Sequence, residues 1–242
     1  MSQAWIGCSG FNYPHWKGVF YPDNLTQRKW LAHYCTVFST VELNVTFYRL
    51  PRESTFDKWY QETPEDFRFS LKGSRFITHI KRLMDPEGPV ELFYSGALRL
   101  KEKLTAVLWQ FPPSFKIDME RLERFLALLK DYPVRNTFEF RNETWITEDV
   151  MSICRENNVS LCMADWPEFI DDLPVTSDFV YMRRHGEGGR YDSCYSPAAL
   201  KKDARRIKGH LKHGRDVYIY FNNDAGGCAP ANAKELMKLL KE

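Results

Sequence analysis

Residues 138–145 read FEFRNETW, a stretch that combines aromatic and charged side chains. Large aromatic side chains alternate with a carboxylate at Glu139 and a guanidinium at Arg141, which is the period-two pattern of a β-strand with two different faces. A charged face inside a globular chain is costly unless its groups are paired, hydrated or bound to a ligand. The stretch therefore predicts a strand whose charged face points into a polar interior and whose phenyl rings face helices.

Similar runs recur along the chain, with helix-like segments between most of them. Eight β-rich runs cover residues 5–9, 40–47, 68–72, 105–111, 137–141, 160–165, 179–185 and 217–222. Asp118, Thr147 and the pair Ser196-Pro197 mark the starts of three helices. This alternation predicts an α/β fold with a parallel sheet.

The number of β-runs favours a TIM-like (β/α)8 barrel, irregular, in a single domain over residues 1–242. Residues 166–177, WPEFIDDLPVTS, contain two prolines and no amphipathic pattern, so the crossover after the sixth strand should lack a full helix. An open doubly wound sheet is the alternative. The turn after the first strand, GCSGFNYPHW, lacks the glycine fingerprint with which such a sheet binds a dinucleotide.

The composition is that of an ordinary folded protein. Of its 242 residues 43% are hydrophobic and 15% aromatic, and the net charge of +2 is too small to indicate a nucleic-acid partner. No leader sequence or membrane-length apolar segment is present, so we expect a cytoplasmic protein without a membrane partner. The cysteines show no metal-binding or paired spacing, and we expect six reduced thiols. They are Cys8, Cys35, Cys154, Cys162, Cys194 and Cys228.

Polar side chains share one parity of the predicted strands, which in a barrel is the parity that faces the lumen. Most of them lie near the carboxyl ends of the strands, where barrel enzymes build their active sites. An ion-pair network that only fills the barrel, such as Glu139 with Arg141 or Arg183, is the alternative. The predicted lumen residues are Glu42, Asn44, Thr46, Ser70, Lys72, Gln110, Glu139, Arg141, Asp165, Arg183, His185, Asn222 and Asn223.

Seven motifs resemble, in order, those of the DUF72 family, typified by the YecE-like proteins. They are GCSGFNYPHWKGVFYP, VELNVTFY, FSLKGSRFITH, VLWQFPPSF, FEFRNETW, VYMRRHGEGGRYDSCY and VYIYFNNDAGGCAPANA, and they span nearly the whole chain. The resemblance implies a TIM-barrel-like fold and no established activity. The residues that match the family motifs are Glu42, Asn44, Tyr48, Lys72, Gln110, Glu139, Arg141, Trp145, Arg183, His185, Gly186, Asn222, Asn223 and Asn232.

The first functional hypothesis is an enzyme that binds a small anionic or polyhydroxylated, sugar-phosphate-like ligand. Its predicted acid–base groups are Glu42, Glu139, Asp165 and His185. Its predicted ligand-binding residues include Lys72, Arg141 and Arg183 for an anionic group, because guanidinium and ammonium groups bind such oxygens. The other predicted ligand-binding residues are Asn44, Tyr48, Gln110, Trp145, Asn222 and Asn223.

Three alternatives use the same region or its surroundings. A metal-assisted phosphoester hydrolase resembling endonuclease IV-type barrels would place a divalent metal among the four acid–base groups, although Lys72, Arg141 and Arg183 would repel it. A glycosidase would pair Glu42 with Glu139. A non-catalytic protein would bind a metabolite or nucleic acid, the latter through the basic residues 200–215 and through Trp16, Trp145 and Trp166. The substrate, the reaction, any cofactor and the oligomeric state are not determined by the sequence.

Two glycine-bearing loops are predicted to approach the mouth of the barrel. They cover residues 185–197, HGEGGRYDSCYSP, and residues 222–233, NNDAGGCAPANA. Loops after the last two strands of a barrel often hold a phosphate group on backbone amides. Turns without a ligand explain the glycines equally well.

Overall fold

The strands run parallel, as expected for strands joined by helical crossovers. The computed structural model describes residues 2–189 and 191–242. One sheet has the order β1-β9-β8-β7 and the other has the order β2-β3-β4-β5-β6. The strands are β1 (Ala4–Cys8), β2 (Thr40–Leu43), β3 (Arg68–Lys72), β4 (Leu104–Phe111), β5 (Arg135–Phe140), β6 (Ser160–Leu161), β7 (Met163–Ala164), β8 (Phe179–Arg184) and β9 (Asp216–Phe221).

The two sheets follow the strand order of an irregular TIM-like barrel, but their hydrogen-bonded ladders do not form one closed cylinder. The predicted sixth strand is divided at Cys162 into β6, which pairs with β5, and β7, which pairs with β8. On the other side of the ring, β1 and β2 share only a single bridge, between Ser9 and Glu42. The expectation of a fully closed barrel is therefore corrected to two parallel sheets that meet at two seams.

The seam between β1 and β2 is crossed by a side chain. The hydroxyl of Tyr34 accepts a hydrogen bond from the Cys8 amide at 2.8 Å and donates one to the Thr40 carbonyl at 2.9 Å. These two backbone groups would otherwise belong to the ladder between the strands. A phenol therefore replaces part of that ladder, which explains why the pairing of β1 with β2 is so short.

Helices occupy most of the crossovers. They are α1 (Trp30–Cys35), α2 (Val45–Tyr48), α3 (Glu53–Glu62), α4 (Glu87–Ala97), α5 (Met119–Leu129), α6 (Glu148–Glu156), α7 (Pro197–Lys212) and α8 (Cys228–Lys241). The three predicted helix starts are confirmed, because the side chains of Asp118, Thr147 and Ser196 each accept a backbone hydrogen bond from the first turn. The crossover after the sixth predicted strand contains only a 3-10 turn, Glu168–Ile170, as the sequence predicts.

The second strand is shorter than its sequence suggests. It ends at Leu43, and Asn44 takes helical backbone angles before α2. Thr46 stabilises this turn because its hydroxyl donates to the carbonyls of Leu43 at 3.0 Å and Lys72 at 2.7 Å. Asn44 and Thr46 therefore lie beyond the strand, and the prediction of a strand to residue 47 is wrong.

The aromatic face of β5 packs against the helix layer, as the opening stretch predicts. Phe138 is buried against Phe125 of α5, with ring centroids 6.2 Å apart. Phe140 stacks on the buried ring of Trp145 at 4.9 Å. The charged parity of the same strand consequently faces the interior of the ring.

Two of the six cysteines form a disulfide bond. Cys194 and Cys228 are bonded, with their Cα atoms 5.0 Å apart and 34 positions apart in the chain. The prediction of six reduced thiols is therefore wrong for this pair, because the loop after β8 is folded onto the start of α8. Cys8, Cys35, Cys154 and Cys162 are free.

Candidate functional site

A cavity of about 670 Å³ lies at the carboxyl ends of the strands. Its walls are formed by strand ends and by the loops that follow them, which is where barrel enzymes place their chemistry. The lining residues are Tyr13, Asn44, Phe47, Tyr48, Lys72, Arg75, His79, Gln110, Pro113, Arg141, Arg183, Tyr191, Asn222 and Asp224.

Arg183 forms the floor of the cavity and is completely engaged by neighbouring groups. Its Nε and Nη2 atoms donate to the carboxylate of Glu42 at 2.9 to 3.2 Å, and Nη1 donates to Glu139 at 2.9 Å. Nη1 also faces His185 Nε2 at 3.1 Å, and Nη2 faces Ser9 Oγ at 3.3 Å. Although burial opposes the charge of Arg183, the two carboxylates outweigh it and raise its pKa well above the ordinary value. Arg183 therefore has no donor left for a ligand.

Glu139 is the second buried carboxylate beneath the cavity. It accepts hydrogen bonds from Gln110 at 2.7 Å, from Arg183 and from Arg141. Burial raises its pKa, but Arg141 and Arg183 outweigh that effect and hold the pKa well below the ordinary value. A carboxylate in this state is a poor proton acceptor near neutral pH.

Arg141 differs from Arg183 because part of its guanidinium remains open. Its Nε and Nη2 atoms contact Glu139, and Nη2 also lies 3.3 Å from His185 Nε2. Nη1 has no acceptor among the described residues, and Arg141 lines the cavity. Arg141 can therefore donate to an oxygen atom of a ligand.

His185 and Asp165 form a pair behind the cavity wall. The His185 ring lies 3.0 Å from Asp165 through Nδ1, while Nε2 faces two guanidinium groups, so Nδ1 carries the proton. Burial lowers the pKa of His185 despite the hydrogen bond to Asp165. Tyr195 donates to the other Asp165 oxygen. A neutral histidine held in this way orients Arg141 and Arg183.

The predicted convergence of charges from separate strands is confirmed. Glu42, Glu139, Arg141, Arg183 and His185 form one connected network. The four predicted acid–base side chains, however, lie beneath or behind the cavity and do not line it. The lining instead contains Lys72, whose amine has no hydrogen-bond acceptor or carboxylate partner among the described residues.

Lys72 ends β3, and its side chain is 8% exposed. Its Nζ atom lies 4.3 Å above the Phe47 ring and has no hydrogen-bond or ion-pair acceptor within residues 2–189 and 191–242. Burial, followed by the nearby charge of Arg183, lowers the pKa of Lys72 from 10.5 to about 8. The adjacent backbone is fixed because Gly73 donates to the Leu108 carbonyl at 2.8 Å. The cavity therefore contains a buried amine that loses its proton more readily than an ordinary lysine.

Four other predicted ligand-binding residues, Asn44, Tyr48, Gln110 and Asn222, also line the cavity. Asn44 donates to Ser9 Oγ at 2.8 Å, and its Oδ1 atom is buried with no partner among the described residues. A buried acceptor without a donor is unfavourable. Asn44 is thus a second unpaired group at this site.

Trp145 and Asn223 lie outside the cavity. The Trp145 indole is fully buried and donates to the Phe115 carbonyl at 2.6 Å. Asn223 donates to the Ser193 carbonyl at 2.8 Å and to Asn232 at 3.0 Å, so it connects the loop after β8 to α8. Both residues support the walls of the site without lining it.

Several lining residues were not among the predicted site residues because they lie in loops, where no periodic pattern indicates direction, and the sequence suggests His79 only as a loop ligand of a metal. Arg75 and His79 follow β3, and His79 belongs to a π-helical segment, Phe76–Ile80. Burial and the neighbouring Lys72 lower the pKa of His79 to about 4, so it is neutral at pH 7. The glycine-bearing loops contribute Tyr191 and Asp224, and residue 190 of the first loop lies outside the described residues.

The residues proposed for a divalent metal do not fit one. Glu42 and Glu139 direct their oxygens at arginine, and the nearest imidazole nitrogen faces the same arginines. Within the part of the chain that the structure describes, no group of three or more His, Cys, Asp or Glu residues could hold a metal ion. The proposed chemistry of the site therefore does not involve these residues as metal ligands.

Of the three tryptophans considered for base stacking, Trp166 alone is accessible, with 43% of its surface exposed. Trp16 and Trp145 are fully buried. The basic residues of α7 include exposed Lys201, Arg205 and Lys208, as on an ordinary solvated helix face. No described helix has both the length and the apolar character needed to cross a membrane.

Comparison with known proteins identifies one family and several similar folds. The family model described as "Protein of unknown function DUF72" matches residues 5–242. The UPF0759 protein YunF of Bacillus subtilis (strain 168) is 28% identical over 255 residues, which cover 91% of this chain and 89% of YunF. A crystal structure of a DUF72 family protein from Thermotoga maritima MSB8 is 32% identical, with a TM-score of 0.86, and the match covers 99% of this chain and 100% of that one.

A more distant similarity concerns the fold alone. D-psicose 3-epimerase from Clostridium cellulolyticum H10, solved with D-tagatose, aligns with a TM-score of 0.59 at 10% sequence identity. The alignment covers 100% of this chain and 98% of the epimerase. It supports the TIM-barrel-like architecture and says nothing about a shared substrate.

Proposed function

This chain belongs to the DUF72 family, whose description assigns no reaction, and we propose from the cavity itself that the protein is an enzyme acting on a small anionic, polyhydroxylated ligand such as a sugar phosphate. The observation that carries the proposal is the unmatched positive charge of the cavity wall.

The charges of the site divide into a balanced set and an unbalanced set. Arg141 and Arg183 are balanced by Glu42 and Glu139 below the cavity floor. The remaining lining cations are Lys72 and Arg75, and neither has a carboxylate partner among the described residues. Asp224 is the lining carboxylate, and it lies 3.3 Å from His15. An anionic group on a ligand would be bound by this excess of positive charge.

Neutral polar groups complete the site for a hydroxylated ligand. Asn44 lines the cavity with a side-chain amide. Gln110 and Asn222 line the cavity with amide groups that can both donate and accept. This combination of cations and amides suits a phosphorylated or carboxylated sugar better than an apolar molecule.

The histidine we assign to ligand binding is His79 instead of His185. His79 is neutral near pH 7 and lines the cavity, and its Nδ1 atom lies 2.8 Å from the Thr78 hydroxyl. Nε2 has no partner in the described part of the chain, so it is free to form a hydrogen bond with a bound ligand. Glu42 and Glu139 serve instead to hold the guanidinium groups in place.

The proposal is tested by binding measurements with matched ligands. Ribose 5-phosphate and glucose 6-phosphate are compared with ribose and glucose by calorimetry and by thermal unfolding. We expect the phosphorylated sugars to bind and to raise the unfolding temperature, because a ligand that binds only the folded state stabilises it. Arg75→Met should weaken their binding by roughly tenfold, the equivalent of one lost charged hydrogen bond.

Arg205→Met is the control, because Arg205 is an exposed arginine of α7 outside the cavity. It should leave binding unchanged. Equal binding of neutral and phosphorylated sugars, or an equal effect of the two arginine variants, would contradict the proposed function.

A further inference from the structure

Lys72 differs from the other well-buried lysine of the described chain in what surrounds its amine. The Nζ atom of Lys103 donates to the carbonyls of Tyr60 and Thr63, each at 2.7 Å, and to the Thr63 hydroxyl at 3.1 Å. Lys103 therefore has a complete structural role. Lys72 is buried to a similar extent, has none of these acceptors and faces the cavity.

A lysine whose only task is to hold an anion would benefit from a permanent charge. The surroundings of Lys72 work against that charge, because burial and the Arg183 guanidinium both favour the neutral amine. Desolvation and a neighbouring cation are the two means by which proteins turn a lysine into a nucleophile. The contact with Phe47 favours the charged form but does not reverse the net effect.

We infer that Lys72 forms a Schiff base with a carbonyl carbon of the ligand, so that the substrate class is a small anionic aldehyde or ketone. The inference rests on the proposed function, because the same cavity supplies the cations that hold the anionic end. Its geometric basis is an unpartnered amine, fixed at the end of a strand, in the wall of a cavity that also contains Arg75 and the open edge of Arg141.

The reaction requires no oxidant, reductant or second substrate. The lone pair of the neutral amine attacks the carbonyl carbon, a C–N bond forms, and the carbonyl oxygen takes a proton to give a carbinolamine. The C–O bond then breaks as the nitrogen lone pair forms the C=N bond. Both hydrogens of the amine leave with the former carbonyl oxygen as water.

His79 is placed to form a hydrogen bond with the reacting groups during these steps. Its ring packs edge-on against Phe47, with centroids 4.9 Å apart, and the Lys72 amine lies above the same phenyl ring. A neutral imidazole can form a hydrogen bond with the amine and with the carbinolamine oxygen. Lys72 and His79 therefore place an amine that loses its proton more readily than an ordinary lysine and a neutral imidazole against the same phenyl ring.

The experiment traps the Schiff base in the full-length protein. D-glyceraldehyde 3-phosphate is incubated with the wild type at pH 7 in the presence of sodium cyanoborohydride, which adds hydride to the C=N carbon and leaves a stable secondary amine. Peptide mass mapping then follows labelling of each lysine with time. Lys72 should be labelled roughly tenfold or more faster than exposed Lys201, because a larger fraction of its amine is neutral.

Two controls use the wild-type protein alone, and a third uses a variant of Lys72. Inorganic phosphate should slow labelling of Lys72 and leave that of Lys201 unchanged. Neutral D-glyceraldehyde at the same concentration should label Lys72 more slowly than the phosphorylated aldehyde. Lys72→Arg, which keeps the charge and removes the primary amine, should retain only the labelling seen at exposed lysines.

The outcomes separate the inference from the proposed function. If phosphorylated sugars stabilise the protein but Lys72 is labelled no faster than Lys201, the Schiff base is ruled out and the binding proposal stands. If no phosphorylated ligand binds, the proposed function fails and the inference fails with it. Equal labelling by both aldehydes would overturn the assignment to anionic carbonyl compounds.

Discussion

Replacing Lys72 with methionine should make the unliganded protein more stable, although it removes a residue at the centre of the site. The wild-type amine is buried without an acceptor among the described residues, and its pKa falls from 10.5 to about 8. Each pKa unit corresponds to ~1.4 kcal/mol, so keeping this amine charged at pH 7 costs the fold ~3 kcal/mol. Methionine is unbranched and apolar, and it fills similar space.

The expected gain is smaller than this cost because the contact of the amine with Phe47 is lost. Such cation–π contacts contribute ~0.5–2 kcal/mol. The net increase in the free energy of unfolding should therefore be ~1–3 kcal/mol at pH 7. Urea unfolding followed by tryptophan fluorescence measures it directly.

The pH dependence gives a second, independent check. Between pH 8 and pH 10.5 the unfolded chain binds more protons at Lys72 than the folded chain, so wild-type stability rises with pH through this window. The methionine variant lacks this term. Its advantage over the wild type should be constant below pH 8 and should disappear by about pH 10.5. The charged and titratable groups around Lys72 are Glu42, Glu139, Arg141, Arg183, Arg75 and His79, and they are common to both proteins.

Lys103→Met is the matched control, with the opposite expected sign. Its removal leaves the carbonyls of Tyr60 and Thr63 without their donor, which should cost ~1–3 kcal/mol. If Lys72→Met destabilises the protein as much as Lys103→Met does, or if its effect does not change with pH, the description of Lys72 as an unpaired buried amine is wrong.

Two further predictions concern the framework of the site. Arg183→Met should lower the free energy of unfolding by ~3–5 kcal/mol, because it leaves the buried carboxylate of Glu42 without a cationic partner and Glu139 with Arg141 alone. Arg155→Met, which breaks an exposed pair, should cost ~1 kcal/mol or less, and similar losses for the two variants in urea unfolding would refute the distinction. Reducing the bond between Cys194 and Cys228 should cost ~2–4 kcal/mol, since it closes a loop of 34 residues. Thermal unfolding of the wild type with and without dithiothreitol tests this, and Cys194→Ser should be insensitive to the reductant.

The strands and helix starts could be predicted because their signals are local. Alternating side chains and capping residues report on their own segment, and Asp118, Thr147 and Ser196 all cap helices as expected. Alternation does not predict the structure of residues 44–47, where the side-chain pattern is that of a strand but the chain turns into α2. The turn is stabilised by the hydrogen bonds of Thr46 to the carbonyls of Leu43 and Lys72. Closure of the ring was also overestimated, since the bond made by Tyr34 has no sequence signature.

The candidate site could be predicted only in part, for a related reason. Parity identified which side chains point inward, and Glu42, Glu139 and Arg183 do meet. Whether an inward-facing charged side chain is free or fully hydrogen-bonded depends on the register of strands that are distant in sequence. A local pattern of residues does not indicate that register. Loop residues such as Arg75 and His79 had no periodicity to indicate their direction. The disulfide likewise depends on how two loops meet.

The hydroxyl of Tyr34 joins β1 to β2 through hydrogen bonds to the Cys8 amide and the Thr40 carbonyl. Separating β1 from β2 breaks these two hydrogen bonds, the single bridge and the contacts of Ser9 with Glu42 and Asn44, whereas β4 and β5 share a ladder of six residue pairs. The segments leaving these two strands carry Tyr13 and Asn44 to the cavity. An increase in the distance between β1 and β2 would therefore widen the cavity on the side of Tyr13 and Asn44, while the strands that carry Lys72 and precede Arg141 stay paired.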